Sequence, residues 1–196
     1  MKVEKIERLL IGQKSRFKLK EEQVHELKKD FLNSTLLIIG AAGSIGKAFS
    51  LKLKKYNIKE IIFLDKDENG LSNLSRDIVI NFKQKVKRTY ICTDLNNTNF
   101  KKIINDFKVT HLFNFAALKH VRTEEDIYSV NYLIRTNLLT FFKNKKIYDN
   151  KKLKKIFFIS TDKAANPSSI MGCSKKIMEN ELYKLKTNFK KKFVST

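Results

Sequence analysis

Proline and cysteine are nearly missing from this 196-residue chain, and tryptophan is missing altogether. Pro167 is the sole proline, and no Gly- or Ser-rich stretch or internal repeat marks a linker. The length therefore reads as one domain of ordinary size rather than two. Two cysteines, Cys92 and Cys173, do not make a disulfide framework, and no C-x-x-C or Cys/His cluster offers metal-ligand spacing. No metal site is expected, and a reducing cytoplasm is the natural compartment. Long apolar runs are lacking too. The longest uncharged run, Phe31 to Gly46, falls short of the roughly 20 residues of a membrane span, and Asn33, Ser34 and three glycines interrupt it. The start, MKVEKIERLLIGQKSR, has no secretory apolar stretch because Glu4 and Glu7 break it.

Acidic residues are outnumbered 20 to 41 by Lys and Arg, for a formal net charge of +21. A charge of that size can draw a protein to nucleic acid or to an anionic membrane surface. The positive residues, however, are 35 Lys against 6 Arg, spread through LKLKKYNIKE, NFKQKVKR and KNKKIYDNKKLKK. Bidentate readers of phosphate and bases favour Arg, and no zinc finger, RNP motif or helix-turn-helix accompanies the lysines. They read as solvated helix faces, with no nucleic-acid partner expected. What the chain does have is apolar mass for a core: 42% hydrophobic residues, fifteen of them Phe.

That mass is distributed with two alternating periods. Ile6, Leu9, Leu10 and then Val24, Leu27, Phe31 fall at helical spacings, so residues 1–34 read as a short helical extension ahead of a main unit at 35–196. From Thr35, continuous apolar runs predict strands at TLLIIG, EIIFLD, VKRTYICTD, THLFNFAA and KKIFFIST. Between them, helical periodicity covers IGKAFSLKLKKY, LSNLSRDIVINFKQK, FKKIINDFK, residues 128–145 and the segment after Met171. Strands of that kind alternating with helices give a parallel sheet covered on both faces, a doubly wound α/β fold of Rossmann type. KKKFVST reads as the start of a sixth strand that stops before completing its element. An edge left without it would expose apolar surface and unpaired backbone groups.

Gly40, Gly43 and Gly46 of GAAGSIG follow the first strand directly and open the first helix, with Ser44 and Ile45 between the last two. Glycine lets the chain turn tightly and approach a pyrophosphate, while the helix start offers unpaired N–H groups and partial positive charge. Asp65 ends the second strand 19 residues after Gly46, where a carboxylate accepts from adenosine ribose hydroxyls. This predicts NAD rather than NADP, with Lys66 next door softening the preference. Asp94, followed by Leu95 after the third strand, suits an adenine contact or a helix cap equally well. Asn114, Phe115, Ala116 and Ala117 bring small residues to the point where the cofactor crosses the sheet edge, and Lys119 and His120 follow. His120 reads as structural, and His25 and His111 receive no role. The densest polar cluster is ISTDKAANPSSIMGCSK, which gathers Ser160, Thr161, Asp162, Lys163 and Lys175 at the carboxyl edge of the sheet. Met171 and Lys175, one helical turn apart, are expected to face the same cleft.

GAAGSIG, FLDKDENGL, NFAALKHV, RTN and STDKAANPSSIMGCSKKIMEN together resemble the extended short-chain dehydrogenase/reductase family. More narrowly the chain is similar to the UDP-N-acetylglucosamine 4,6-dehydratases of the polysaccharide-biosynthesis group, even in its leader ERLLIGQKSRFKLKEEQV. The resemblance implies a bound NAD(P), a nucleotide-sugar substrate, a homo-oligomer, and a net elimination of water to a 4-keto-6-deoxy sugar. It assigns Asp162 as acid for the departing 6-hydroxyl and Lys163 as base for the C5 proton. Thr161 would bond the substrate near C4, and Lys175 the nicotinamide ribose.

Two departures follow. The usual Tyr-x-x-x-Lys is here Met171-x-x-x-Lys175, and a thioether takes no hydroxyl proton, so Thr161 with Asp162 or a water is left to receive the C4 hydroxyl proton. Members of this group also run well beyond VST, so most sugar-nucleotide contacts are expected outside these residues. The competing readings are a sugar-nucleotide epimerase, a non-catalytic nucleotide-binding module and, last, a Lys-driven nucleic-acid binder.

Overall fold

Thr35–Ile39 carries five consecutive buried side chains and forms β1. The alternation of those side chains sorts the interior into two halves. Leu36 and Ile38 join Ile61 and Phe63 on one face of the sheet, while Leu37 and Ile39 join Ile62 and Leu64 on the other. A strand that must be apolar on both sides reads as a continuous hydrophobic run, which is why the sequence shows these strands plainly. The computed structural model describes residues 18–83, 85–118, 124–148, 152–189 and 192–195.

Helix α1 (Glu21–Phe31) precedes β1, and α2 (Ser44–Lys52) follows it, tightening into a 3-10 turn at Leu53–Lys55. Next come β2 (Glu60–Asp65), α3 (Glu68–Asn81), β3 (Lys87–Cys92), α4 (Phe100–Asp106) and β4 (His111–Asn114). Helix α5 (Ile127–Ile134) runs through a π turn (Arg135–Leu139) into α6 (Thr140–Lys143), and α7 (Lys145–Tyr148) leads to β5 (Lys155–Phe158). The long helix α8 (Ile170–Phe189) and β6 (Lys192–Ser195) complete the order. All strand pairs are parallel, in the order β3-β2-β1-β4-β5-β6. Phe31, Leu53, Leu71 and Ile78 bring α1, α2 and α3 onto one face. Phe100, Phe141, Tyr148 and Met178 bring α4, α6, α7 and α8 onto the other. This is the doubly wound fold, and the chain reverses direction across the sheet between β1 and β4, where ligands bind in such folds.

The differences from expectation lie in the helices and at one edge. Helix α3 begins three residues earlier than its apolar periodicity, because the Asp67 carboxylate accepts from Gly70 N at 2.9 Å and caps it. It ends at Asn81, since Phe82 is extended (ψ 110°) and turns its side chain into the core. The helix expected across 128–145 is broken by the π turn. The strand expected to stop short is formed: all four residues of β6 pair with β5, from Lys155↔Lys192 to Phe158↔Ser195, so β5 is not an open edge. The helical spacing at Ile6, Leu9 and Leu10 predicts a helix ahead of α1, and it falls outside the described residues. Among the described residues, no helix is long and apolar enough to cross a membrane.

Candidate active site

The glycine turn is fixed by close backbone approach at two of its three glycines. Gly40 takes φ +72°, and a Cβ there would sit 2.6 Å from the Ala116 backbone nitrogen. A Cβ on Gly46 would run into the Gly40 carbonyl oxygen. Gly43 differs, because a Cβ there would meet only that oxygen, at 3.4 Å. The protein's own packing does not require glycine at this position, and the open space over it lies at the start of α2. The first-turn N–H groups of Ser44, Ile45 and Gly46 have no intrahelical acceptor, and Gly43 as N-cap supplies no side-chain oxygen. That combination fits a phosphate.

Two cavities meet at this turn. The first, of ≈ 270 Å³, runs from Gly40 and Gly43 to Asp65, Asp94 and Tyr132. Asp65 braces it: Oδ2 accepts from Ala42 N at 2.9 Å and Oδ1 from Asp67 N at 3.1 Å, so this carboxylate shapes the glycine turn besides facing the cavity. Asp94 does cap the 3-10 turn at Leu95–Asn97, accepting from Asn96 N at 2.7 Å, and it also lines the cavity. Its carboxyl lies below the usual range. Burial pulls upward, but the Asn96 N–H, the Tyr132 hydroxyl and the Lys66 charge outweigh it. Leu95, Ala116 and Ala117 line the same cavity. Lys119 and His120 lie outside the described residues.

The second cavity, of ≈ 250 Å³, joins the glycine turn to Ser160, Thr161, Met171 and Lys175. Met171 and Lys175 do share one face, 3% and 4% exposed. The Lys175 ammonium donates to the Ile159 carbonyl at 3.0 Å. Burial pushes it down to about 8, against the pull of the Glu179 carboxylate. Asp162 and Lys163 are not drawn inside. They form an exposed 3-10 turn at the rim, capped by Thr161, whose hydroxyl donates to Asp162 Oδ1 at 3.0 Å. That turn packs closely on α8, since a Cβ on Gly172 would lie 2.7 Å from the Lys163 carbonyl oxygen.

Four residues that shape the site went unassigned in the sequence reading. Glu179, one turn beyond Lys175, accepts a short hydrogen bond from the Ser160 hydroxyl. The Glu124 carboxylate accepts from Ile170 N at 3.1 Å and Met171 N at 2.9 Å, holding the start of α8. Asn137, turned inward by the π turn, pairs with both backbone groups of Leu118 at 3.0 Å. Tyr132 donates to Asp94 Oδ2 at 2.9 Å and accepts from the Lys66 ammonium at 3.1 Å. Asn137 and Glu179 carried a sequence signal, as the last residue of RTN and the penultimate one of STDKAANPSSIMGCSKKIMEN.

Solved structures share the fold. A UDP-glucuronic acid 4-epimerase from Bacillus cereus, in complex with UDP-4-deoxy-4-fluoro-glucuronic acid and NAD, superposes with a TM-score of 0.69 at 21% identity, over 82% of this chain and 55% of that one. An NAD+-bound xylitol dehydrogenase gives 0.68 at 16% identity, over 82% and 66%. Among curated proteins, the capsular polysaccharide biosynthesis protein CapD of Staphylococcus aureus is 30% identical over 99% of this chain, which spans 35% of its length. A UDP-glucose 4-epimerase of Rickettsia massiliae is 33% identical over 76% of the chain, which spans 42% of that protein. Residues 36–196 match the model of one family throughout, and the chain belongs to that family, the polysaccharide biosynthesis proteins.

Proposed function

We propose that this chain is the cofactor-binding and catalytic-loop portion of a sugar-nucleotide 4,6-dehydratase acting on UDP-N-acetylglucosamine. The observation that carries the reading is the cavity shared by the glycine turn with Thr161, Met171 and Lys175, with the Asp162–Lys163 turn on its rim. The open space at Gly43 and the free first turn of α2 fit a dinucleotide pyrophosphate, and Asp65 favours the unphosphorylated ribose of NAD. A bound NAD supplies hydride acceptance at sugar C4 and hydride return at C6, the redox halves of a net loss of water.

The chain's own groups handle the protons. The Asp162 carboxyl gives one to the departing 6-hydroxyl, and the Lys163 amine takes one from C5, which oxidation at C4 has acidified. Thr161, whose hydroxyl donates to Asp162 Oδ1, accepts the C4 hydroxyl proton as hydride leaves C4 and passes its own to that carboxylate, and Lys175 holds the ribose of the cofactor and favours deprotonation nearby by its charge. The Met171 thioether closes the cavity wall and carries no proton. Since the chain spans well under half of its curated relatives, residues of a longer protein complete the sugar site in this proposal.

Mass spectrometry of the longer protein carrying this chain, with NAD and UDP-N-acetylglucosamine, tests it: loss of one water from the sugar nucleotide is the expected result. A curated relative named as a UDP-glucose 4-epimerase favours a second reading, epimerisation, which shares the C4 oxidation and leaves the mass unchanged. Lys163→Ala is expected to stop solvent exchange of the C5 proton, followed by deuterium uptake, while cofactor binding persists. Full-rate exchange in that variant would place the base elsewhere.

A further inference from the structure

At the far end of the first cavity, three side chains from three elements form one hydrogen-bonded chain. Lys66, just past β2, donates to the Tyr132 hydroxyl at 3.1 Å, and that hydroxyl donates to Asp94 Oδ2 at 2.9 Å. The ammonium also stands 5.0 Å from the centre of the Tyr132 ring. Asp94 Oδ1 is already taken by the Asn96 backbone and side-chain N–H groups at 2.7 and 2.9 Å. Asp65 lies beside them in the cavity wall.

Among the described residues, this end of the cavity thus holds three carboxylates, those of Asp65, Asp67 and Asp94, and a single ammonium, and the ammonium is committed. A cofactor bearing a 2′-phosphate would meet Asp65 and Asp94 as like charges and would need Lys66 to offset them. Tyr132 is what holds Lys66, through the hydrogen bond to its hydroxyl and the contact with its ring. Its hydrogen bond is the leading reason the ammonium stays charged above the ordinary lysine range, ahead of the fields of Asp94 and Asp65. The tyrosine therefore acts on discrimination without itself reading the phosphate.

We propose that Tyr132 is a specificity residue: by tethering Lys66, it makes this site favour a dinucleotide with a free 2′-hydroxyl over its 2′-phosphorylated counterpart. The proposal rests on the dinucleotide reading above and deepens it. Removing the hydroxyl has two separable effects. Releasing Asp94 opens an acceptor to the adenine amine and strengthens both cofactors alike. Releasing Lys66 strengthens only the phosphorylated one. The ratio of the two affinities therefore isolates the tether.

The test is titration of the full chain with NADH and NADPH, following reduced-nicotinamide fluorescence, for the native protein, Tyr132→Phe and the double variant Tyr132→Phe/Lys66→Met. Phenylalanine keeps the ring and removes both hydrogen bonds of the hydroxyl, of which only the one to Lys66 bears on the ratio, so the NADPH-to-NADH affinity ratio should rise about three- to tenfold in Tyr132→Phe. The rise should vanish in the double variant. Native protein that prefers NADPH overturns the proposal, as does a ratio unmoved by Tyr132→Phe while NADH binds normally. Binding of neither cofactor to any variant overturns the dinucleotide reading and this proposal with it.

Discussion

Lys175 and Glu179 sit one helical turn apart in α8, and the glutamate charge pulls the lysine's chemistry in a definite direction. Burial holds the lysine at about 8, and the glutamate charge keeps it from falling further. Glu179→Gln removes that charge, so the Lys175 transition should move below about 8, read by titrating isotope-labelled lysine or from the alkaline limb of a turnover profile. An unmoved transition would mean that Glu179 only anchors Ser160. The lysine's folded value lies below its ordinary 10.5. The unfolded chain therefore binds more protons between those two values, and this group's contribution to stability rises with pH across that window. The glycine turn offers a second contrast at single residues. Gly46→Ala forces a methyl against the Gly40 carbonyl and should cost about 1–3 kcal/mol of folding stability. Gly43→Val fills space the protein leaves open, so its melting curve should stay near that of the native protein while dinucleotide binding is lost. Equal damage to stability from both would deny Gly43 its role as the cradle.

Elements meet at the site through polar clamps that bridge distant stretches of chain. Asn137 is buried in the π turn and satisfies both the N–H and the carbonyl of Leu118, four residues beyond β4. Asn137→Ala leaves two backbone groups without that partner and should cost about 1–3 kcal/mol in chemical denaturation. It should also loosen the wall common to both cavities, seen as faster amide exchange at Leu118; native-like exchange there would refute the clamp. The sequence revealed the strands because burial on both faces leaves no choice of residue, and EIIFLD coincides with β2. It misplaced the start of α3 because a cap sits outside the apolar pattern, at Asp67. The π turn was illegible, since 128–145 keeps helical periodicity and only tertiary packing decides where an extra residue is inserted. In the site, GAAGSIG and ISTDK were readable because their residues are neighbours along the chain. The roles of Tyr132 and Glu179 were not, because each is defined by a partner far away: Asp94 is 38 residues from Tyr132, and Ser160 is 19 from Glu179.

Across the whole molecule, the sites at the carboxyl edge of the sheet depend on a core closed from the opposite end by α1. Phe31 packs its ring 4.8 Å from Tyr56 and 5.8 Å from His111, centre to centre, and Asp30 pairs with Lys155 of β5. The amino-terminal helix therefore seals the sheet rather than trailing from it. Its seal makes His111 a buried imidazole beside the Thr110 hydroxyl, at 2.8 Å. Burial, helped by the Lys154 charge, pushes it down to about 4 from the ordinary 6.5. The sign follows from linkage. Between those two values the unfolded chain takes up a proton that the folded one refuses, so this contribution is complete above about 6.5 and is lost as the pH falls toward 4. Acidification also destabilises through carboxylates, so the diagnostic is a comparison. His111→Gln should lower stability at neutral pH, through a poorer fit under Phe31, yet lose less of it on acidification than the native protein does. Denaturation midpoints measured from neutral to mildly acid pH decide this. Parallel losses in the two proteins would mean that the imidazole is protonated inside the fold and that the seal formed by α1 opens to water.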